Sequence, residues 1–424
     1  MRAGPPLANP TGNPGWQSAA AMLYCDSLHE CVPGVTESAA DTRRERFGDD
    51  KRMQRRHFLI GAGAAVSAAG AESKVHFNSL LPPKPGNPRN TEGDFIELRD
   101  GRLMFAYTKF TGGGGDHDRA HIAARFSSDH GETWTQEDIV LLDNEGGMNI
   151  MSVSFLRLRD RRLAFFYLLK DSDTSCRPVL RYSRDEGKTW SEPTVCIKDP
   201  GYYVLNNDRA VQLKRGRLVL PVALHTRDGK WSSQGQAMCY LSDDQGKTWR
   251  RSKSVLESPR PTRSGLQEPG VVELKNGDLL MFCRTSMGSQ YYSRSRDGGE
   301  TWSAPEASEL ASPVSPASIE RIPSTGDLLA VWNDHTKVDE AFKAVDGKTG
   351  GKRTPQTIAI SKDEGKTWIH RKNLLEDPDG WYCYTAIEFV KDRVLLAYVA
   401  GGTGMKHLSQ TQIAWFPVSY LYSS

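Results

Sequence analysis

Ser127-Ser-Asp129-His-Gly131-Glu-Thr133-Trp134 is the first of five copies of one pattern, S-x-D-x-G-x-T-W. The other copies begin at Ser183, Ser242, Ser295 and Ser361, so consecutive copies start 53 to 66 residues apart. Repetition at that spacing marks one supersecondary unit used again and again. The octad also has a local logic. Short Ser and Asp side chains bond nearby backbone amides, Gly accepts a positive φ, and Trp offers a large apolar surface to a neighbouring unit. The pattern therefore reads as a self-satisfied β-turn with a structural role.

A second marker recurs out of phase with the first: an apolar run, a short polar turn and another apolar run. Phe95–Leu98 turns into Leu103–Tyr107, Val153–Leu158 into Leu163–Tyr167, and Ala210–Leu213 into Leu218–Leu220. Val271–Leu274 then turns into Leu279–Phe282, Ile319–Ile322 into Leu328–Val331, and Ala386–Phe389 into Val394–Tyr398. Each of the first five hairpins leads to a third strand that runs into the octad turn, as His121–Phe126 does, and a fourth strand follows. The sixth lacks the turn but has strand material in Gln412–Phe416. Six repeats of four antiparallel strands predict an all-β, six-bladed β-propeller. Short, evenly spaced strands also suit a sandwich, but a sandwich does not explain the repeat.

The chain has 424 residues, a net charge of +3, 38% hydrophobic and 25% charged residues. That balance gives no basic surface for nucleic acid, and no apolar stretch has the length of a membrane-spanning helix. The seven cysteines, Cys25, Cys31, Cys176, Cys196, Cys239, Cys283 and Cys383, form no zinc-type spacing and no disulfide framework.

Residues 1–52 are rich in Gly, Pro and charge and read as disordered, or as preceding the functional start. In residues 53–71, Arg55-Arg56-His57-Phe58-Leu59 precedes a small-residue apolar run, Ile60 to Ala71. This is a signal-peptide pattern whose paired arginines resemble a twin-arginine export signal, which implies a periplasmic or secreted protein. Residues 72–88, with four prolines, read as a linker, and residues 89–424 as the propeller.

Strand alternation fixes where a site can lie. The octad turns all connect third to fourth strands, so they share one face. A site in the central funnel should use the other face, reached by second-to-third loops and by links between blades. Arg89, Asp116, Glu268, Arg284, Arg353 and the pair Tyr382 and Tyr384 satisfy that filter. Singly each is an ordinary surface or packing residue, but convergence of arginines, carboxylates and a tyrosine on one face is a site signature.

On these residues the chain, over about residues 89–420, resembles the sialidase (neuraminidase) superfamily, six-bladed propellers whose repeated turn is usually called the Asp-box. The resemblance implies three arginines on a substrate carboxylate, a Tyr nucleophile partnered by Glu, and an Asp acid/base. Arg89 looks like the first arginine, although the usual Arg-Ile-Pro is here Arg89-Asn-Thr. Glu268 and Arg284 resemble the Glu and the second arginine, and Arg353 the third. Asp116 looks like the acid/base, and Tyr384 like the nucleophile, with Tyr382 its close rival.

Such chemistry needs these residue types. Guanidinium groups hold a carboxylate through charge-assisted hydrogen bonds, and a neutral phenol approaches an anionic sugar without the repulsion a carboxylate nucleophile would meet. A phenol with a pKa of about 10 needs a base beside it. No metal or organic cofactor is required. The expectation is an exported, retaining exo-α-sialidase acting on terminal sialic acid or a related α-keto acid sugar of a glycoconjugate. The alternatives are a propeller that binds acidic glycans without hydrolysis, and an exo-hydrolase for another anionic sugar.

Overall fold

The computed structural model describes residues 74–338, 351–402 and 404–423. The chain is all-β in six sheets set in sequence order around a ring. The first strand, β1 (His76–Leu81), stands apart from its chain neighbours. Blade one is β2 (Arg89–Glu97), β3 (Leu103–Phe110), β4 (Ala120–Ser127) and β5 (Ile139–Leu142). Blade two is β6 (Asn149–Arg157), β7 (Leu163–Lys170), β8 (Cys176–Ser183) and β9 (Thr194–Val195). In blade three the inner edge comes in two pieces, β10 (Tyr203–Val204) and β11 (Val211–Gln212). Both pair with β12 (Leu218–Arg227), which is followed by β13 (Lys230–Ser242) and β14 (Arg250–Arg251).

Blade four is β15 (Gln267–Glu273), β16 (Leu279–Arg284), β17 (Ser289–Ser295) and β18 (Glu306–Ala311). Blade five is β19 (Ser318–Arg321), β20 (Leu328–Trp332), β21 (Gln356–Ser361) and β22 (Ile369–Leu375). Blade six is β23 (Trp381–Val390), β24 (Arg393–Gly402) and β25 (Met405–Pro417), and β1 completes it. The six-bladed propeller read from the sequence is the fold.

One expectation is corrected. Residues 76–81, read as linker, are the outer strand of the last blade, with His76 opposite Trp415 and Leu81 opposite Thr411. The His76 and Trp415 rings stack 3.9 Å apart. The ring is thus closed by pairing the beginning of the described chain with its end, which leaves blade six no missing strand. Residues 1–73, including Arg55 and Arg56, lie outside the described residues.

The octad turns behave as their chemistry predicts. In each, the Ser hydroxyl bonds the Asp carboxylate at 2.8 Å and accepts the Gly amide at 2.8–2.9 Å. The other Asp oxygen accepts the Thr hydroxyl, and the Thr amide also donates to the carboxylate. The Gly and the residue before it both have positive φ, for example 61° at His130 and 89° at Gly131. The Trp then seals the seam to the preceding blade. Trp134 packs with Phe95 and Phe105 of blade one and in one cluster with Val390 and Leu395 of blade six. Trp302 and Trp368 lie likewise in clusters spanning blades three and four, and four and five.

The core is divided among such inter-blade clusters, which carry the apolar burial of the fold. Cys176, Cys196, Cys239, Cys283 and Cys383 are buried free thiols inside it. No helix among the described residues is long and apolar enough to cross a membrane.

Candidate active site

The innermost strands share a device that aims side chains into the central funnel. Register slips by one residue between Thr91 and Asp94, Met151 and Ser154, Gln267 and Gly270, and Cys383 and Ala386. At each bulge a non-glycine residue adopts a left-handed conformation: Glu92 (φ 53°), Ser152 (58°), Glu268 (46°) and Tyr384 (55°). Asp208 (55°) does the same between the two inner pieces of blade three. Bulges re-aim side chains, and left-handed non-glycine residues carry strain, which is why both concentrate at functional sites. Glu268 and Tyr384 are brought together by this device from opposite parts of the chain.

The Tyr384 hydroxyl donates to Glu268 Oε1 at 3.0 Å, and Arg284 Nη1 donates to the same oxygen at 2.8 Å. Glu268 Oε2 is buried without a hydrogen bond among the described residues. Arg353 is 2% exposed, and its guanidinium lies 5.3 Å from the Tyr384 ring centre and 5.2 Å from that of Trp381. One of its Nη atoms donates to Cys383 Sγ at 3.0 Å. Tyr382, the rival in sequence, instead packs edge-on against Tyr398 in the cluster between blades five and six. The bulge explains the difference. In a regular strand residues 382 and 384 would share a face, and the slip turns Tyr384 alone toward the funnel.

Arg89 and Asp116 belong to blade one, which packs beside the blade that carries Tyr384. Arg89 is buried, its Nη1 donates to Asp116 Oδ1 at 2.5 Å, and its Nη2 donates to Glu92 Oε1 at 3.1 Å. Its guanidinium covers the Phe110 ring at 4.5 Å. The loop bearing Asp116 is held from blade two: Lys170 Nζ donates to the Asp116 carbonyl at 2.6 Å, and Asn149 Nδ2 to the carbonyls of Asp116 and Asp118 at 2.9 and 2.8 Å. The Asp116 carboxylate is itself 56% exposed, so it faces the funnel's open space.

The electrostatics divide the titratable groups into distinct roles. Burial opposes charge on Glu268, but Arg284 and Arg353 beside it hold its carboxyl below the usual range. Burial, and then the charge of Glu268, push the Tyr384 phenol well above its ordinary value, so Tyr384 rests neutral against a charged partner. The protein around Asp116 opposes its charge, though the carboxylate keeps over half its surface open, and Arg89 and Lys170 outweigh that opposition and hold it down to about 2. Glu92 is shifted the other way, raised chiefly by burial despite Arg89. Asp94, Glu320 and Glu388 on the inner strands of blades one, five and six, and Asp208 between the inner pieces of blade three, feel one another's charge, with Arg209 the buried cation beside them. All four are raised, Glu388 to about 8.

All six sequence-read positions, Arg89, Asp116, Glu268, Arg284, Arg353 and Tyr384, thus lie on the face away from the octad turns. Sequence reasoning missed Glu92, Ser152, Asn149, Lys170 and the carboxylate belt. Lys170 carried a signal, since it ends the second strand of its blade as Arg284 does of blade four. Glu92 carried none, because a bulge is invisible until strands are paired.

Comparisons with known proteins give the family. Residues 101–396 match the family model described as BNR repeat-like domain. The chain is 27% identical over 418 residues to a sialidase of Micromonospora viridifaciens, covering 86% of this chain and 61% of that one. It is 29% identical over 242 residues to a sialidase of Bacteroides fragilis, covering 54% of this chain and 40% of that one. It therefore spans less than two thirds of either relative's length. Among solved structures, the Hadza microbial sialidase Hz136 superposes with a TM-score of 0.62 at 20% identity, over 79% of this chain and 66% of that one. With the matched segment running from blade one into blade six, the chain belongs to the BNR repeat-like family of the sialidase superfamily.

Proposed function

We propose that the chain is a retaining exo-α-sialidase that removes a terminal sialic acid, or a closely related α-keto acid sugar, from a glycoconjugate. The observation that carries this reading is the 3.0 Å hydrogen bond from the Tyr384 hydroxyl to Glu268, with Arg284 and Arg353 beside it and Asp116 held on Arg89 of the adjoining blade. A neutral phenol paired with a charged carboxylate among guanidinium groups suits attack on an anionic sugar.

The arginines hold the sugar's carboxylate and so fix the anomeric carbon near Tyr384 Oη. As Tyr384 Oη bonds that carbon, its proton passes to Glu268 and the bond to the leaving oxygen breaks. Asp116 delivers a proton to that oxygen. In the second half Asp116 takes a proton from water, the water oxygen displaces Tyr384, and Glu268 returns the proton to the phenolate. Two displacements on one carbon give retention.

The test is hydrolysis of a fluorogenic sialoside by the wild type and by Tyr384→Phe. The variant keeps the ring and loses the oxygen, so turnover should collapse while substrate binding persists. A 3-fluorinated sialosyl fluoride should label Tyr384, as peptide mapping reads directly. Label elsewhere, or a fully active Tyr384→Phe, refutes the mechanism. Saturable binding without turnover by folded wild type would replace it with a glycan-binding role.

A further inference from the structure

The first arginine of the site is already occupied. Arg89 uses one Nη on Asp116 and the other on Glu92, and these two carboxylates differ sharply in how firmly they are placed. Glu92 is 5% exposed and stands at the same bulge position as Glu268 and Tyr384. Its second oxygen accepts the Ser152 hydroxyl from the next blade. Asp116 sits on a glycine-rich loop, Gly112 to Gly115, tied by its backbone, with its carboxylate 56% exposed. An incoming carboxylate that claims Arg89 therefore displaces Asp116 and leaves Glu92 in place.

We propose that Glu92 is a positioning residue: it retains Arg89 while Asp116 yields its place to the substrate's carboxylate, so that binding the anion frees Asp116 to take up the proton it later delivers. This rests on the sialidase reading above. It also removes a difficulty of that reading, because Asp116 paired with Arg89 is held ionised and has no proton to give. The proton comes from solvent, one per carboxylate bound, and goes to the Asp116 oxygen that Arg89 has released.

The groups facing Asp116 are Arg89, Lys170, Glu92, Tyr202 and its loop neighbours His117 and Asp118. Those facing Glu92 are Arg89, Asp116, Glu268, Tyr384, Cys176 and Tyr202. Without the Glu92 charge, Asp116 becomes the only counter-ion of Arg89 among the described residues and is released less readily.

The first experiment titrates the intact protein with a 2,3-unsaturated sialic acid, which keeps the carboxylate and lacks a leaving group. Calorimetry at neutral pH in buffers of different ionisation enthalpy counts the protons. Wild type should take up close to one proton per ligand, and Asp116→Asn should bind without uptake. The second compares Glu92→Gln with wild type on two sialosides, one with a sugar alcohol as leaving group and one with an acidic phenol. General-acid assistance is worth on the order of 10²–10⁴-fold, and only the poor leaving group depends on it. The loss should be at least about tenfold larger on that substrate, with the alkaline limb of its pH–rate profile moved to lower pH. Ser152→Ala, which loosens Glu92 without removing its charge, should show the same asymmetry more weakly.

Binding by wild type without proton uptake overturns the proposal, and so does an equal loss on both substrates. A wild type that neither binds nor hydrolyses any sialoside instead overturns the sialidase reading itself.

Discussion

The half-buried carboxylates along the inner strands make stability depend on pH in an unusual direction. Glu388 lies on the inner strand of blade six, with burial and the nearby Asp208 raising its carboxyl to about 8. Its unfolded value is about 4.3. Between those values the folded chain binds a proton that the unfolded chain does not. Stability from this group is therefore complete below about pH 4 and is lost as pH rises toward 8. The gap between those two values corresponds to about 5 kcal/mol, and because the side chain is only half-buried, solvent screening reduces this to about 2–3 kcal/mol.

Glu388→Gln keeps the shape and removes the charge. At pH 5 it should stabilise by no more than about 1 kcal/mol, and at pH 9 by about 2–3 kcal/mol. Unfolding entropy of about 2.1 cal/mol/K per residue over about 340 residues converts that into a Tm increase of about 3–4 °C. The assay is differential scanning calorimetry of both proteins across pH 5–9. Equal stabilisation at both ends, or none at pH 9, refutes the argument that charge in this belt opposes folding.

Trp134→Ala removes the wedge between blades one and six and should cost about 3–5 kcal/mol by denaturant unfolding. Since the octad turns lie away from the funnel, the folded fraction should keep its affinity for a sialic acid analogue, and lost affinity in a stable variant refutes the two-face arrangement. We also propose that the chain is exported through its paired arginines. Replacing Arg55 and Arg56 by Lys should leave precursor in the cytoplasm, and unchanged export of that variant refutes a twin-arginine route.

Much of the fold was legible because its decisive interactions are local. The octad closes through bonds spanning two to four residues, and each hairpin turn sits between its own apolar runs, so both leave a mark in the sequence. What could not be read depends on distant pairing. His76–Leu81 has no clear alternation, and its strand character comes from β25, more than 300 residues later. The same holds at the site. Parity placed Arg89, Asp116, Glu268, Arg284, Arg353 and Tyr384 on one face, and likeness to a family assigned their roles. The choice between Tyr382 and Tyr384 turned on a register slip between Cys383 and Ala386, and the slip beside Glu92 hid that residue entirely.

The closure of the ring also sets a schedule. β1 leaves the ribosome well before its partner β25, which begins at Met405, so at about 5–20 residues per second the strand waits roughly 15–65 s with Leu80, Leu81 and an unpaired edge exposed. During that wait five blades can assemble. The sixth cannot, and the sixth holds Tyr384. The phenol–carboxylate pair is therefore among the last parts of the site to form, since Tyr384 comes from the last blade to be synthesised.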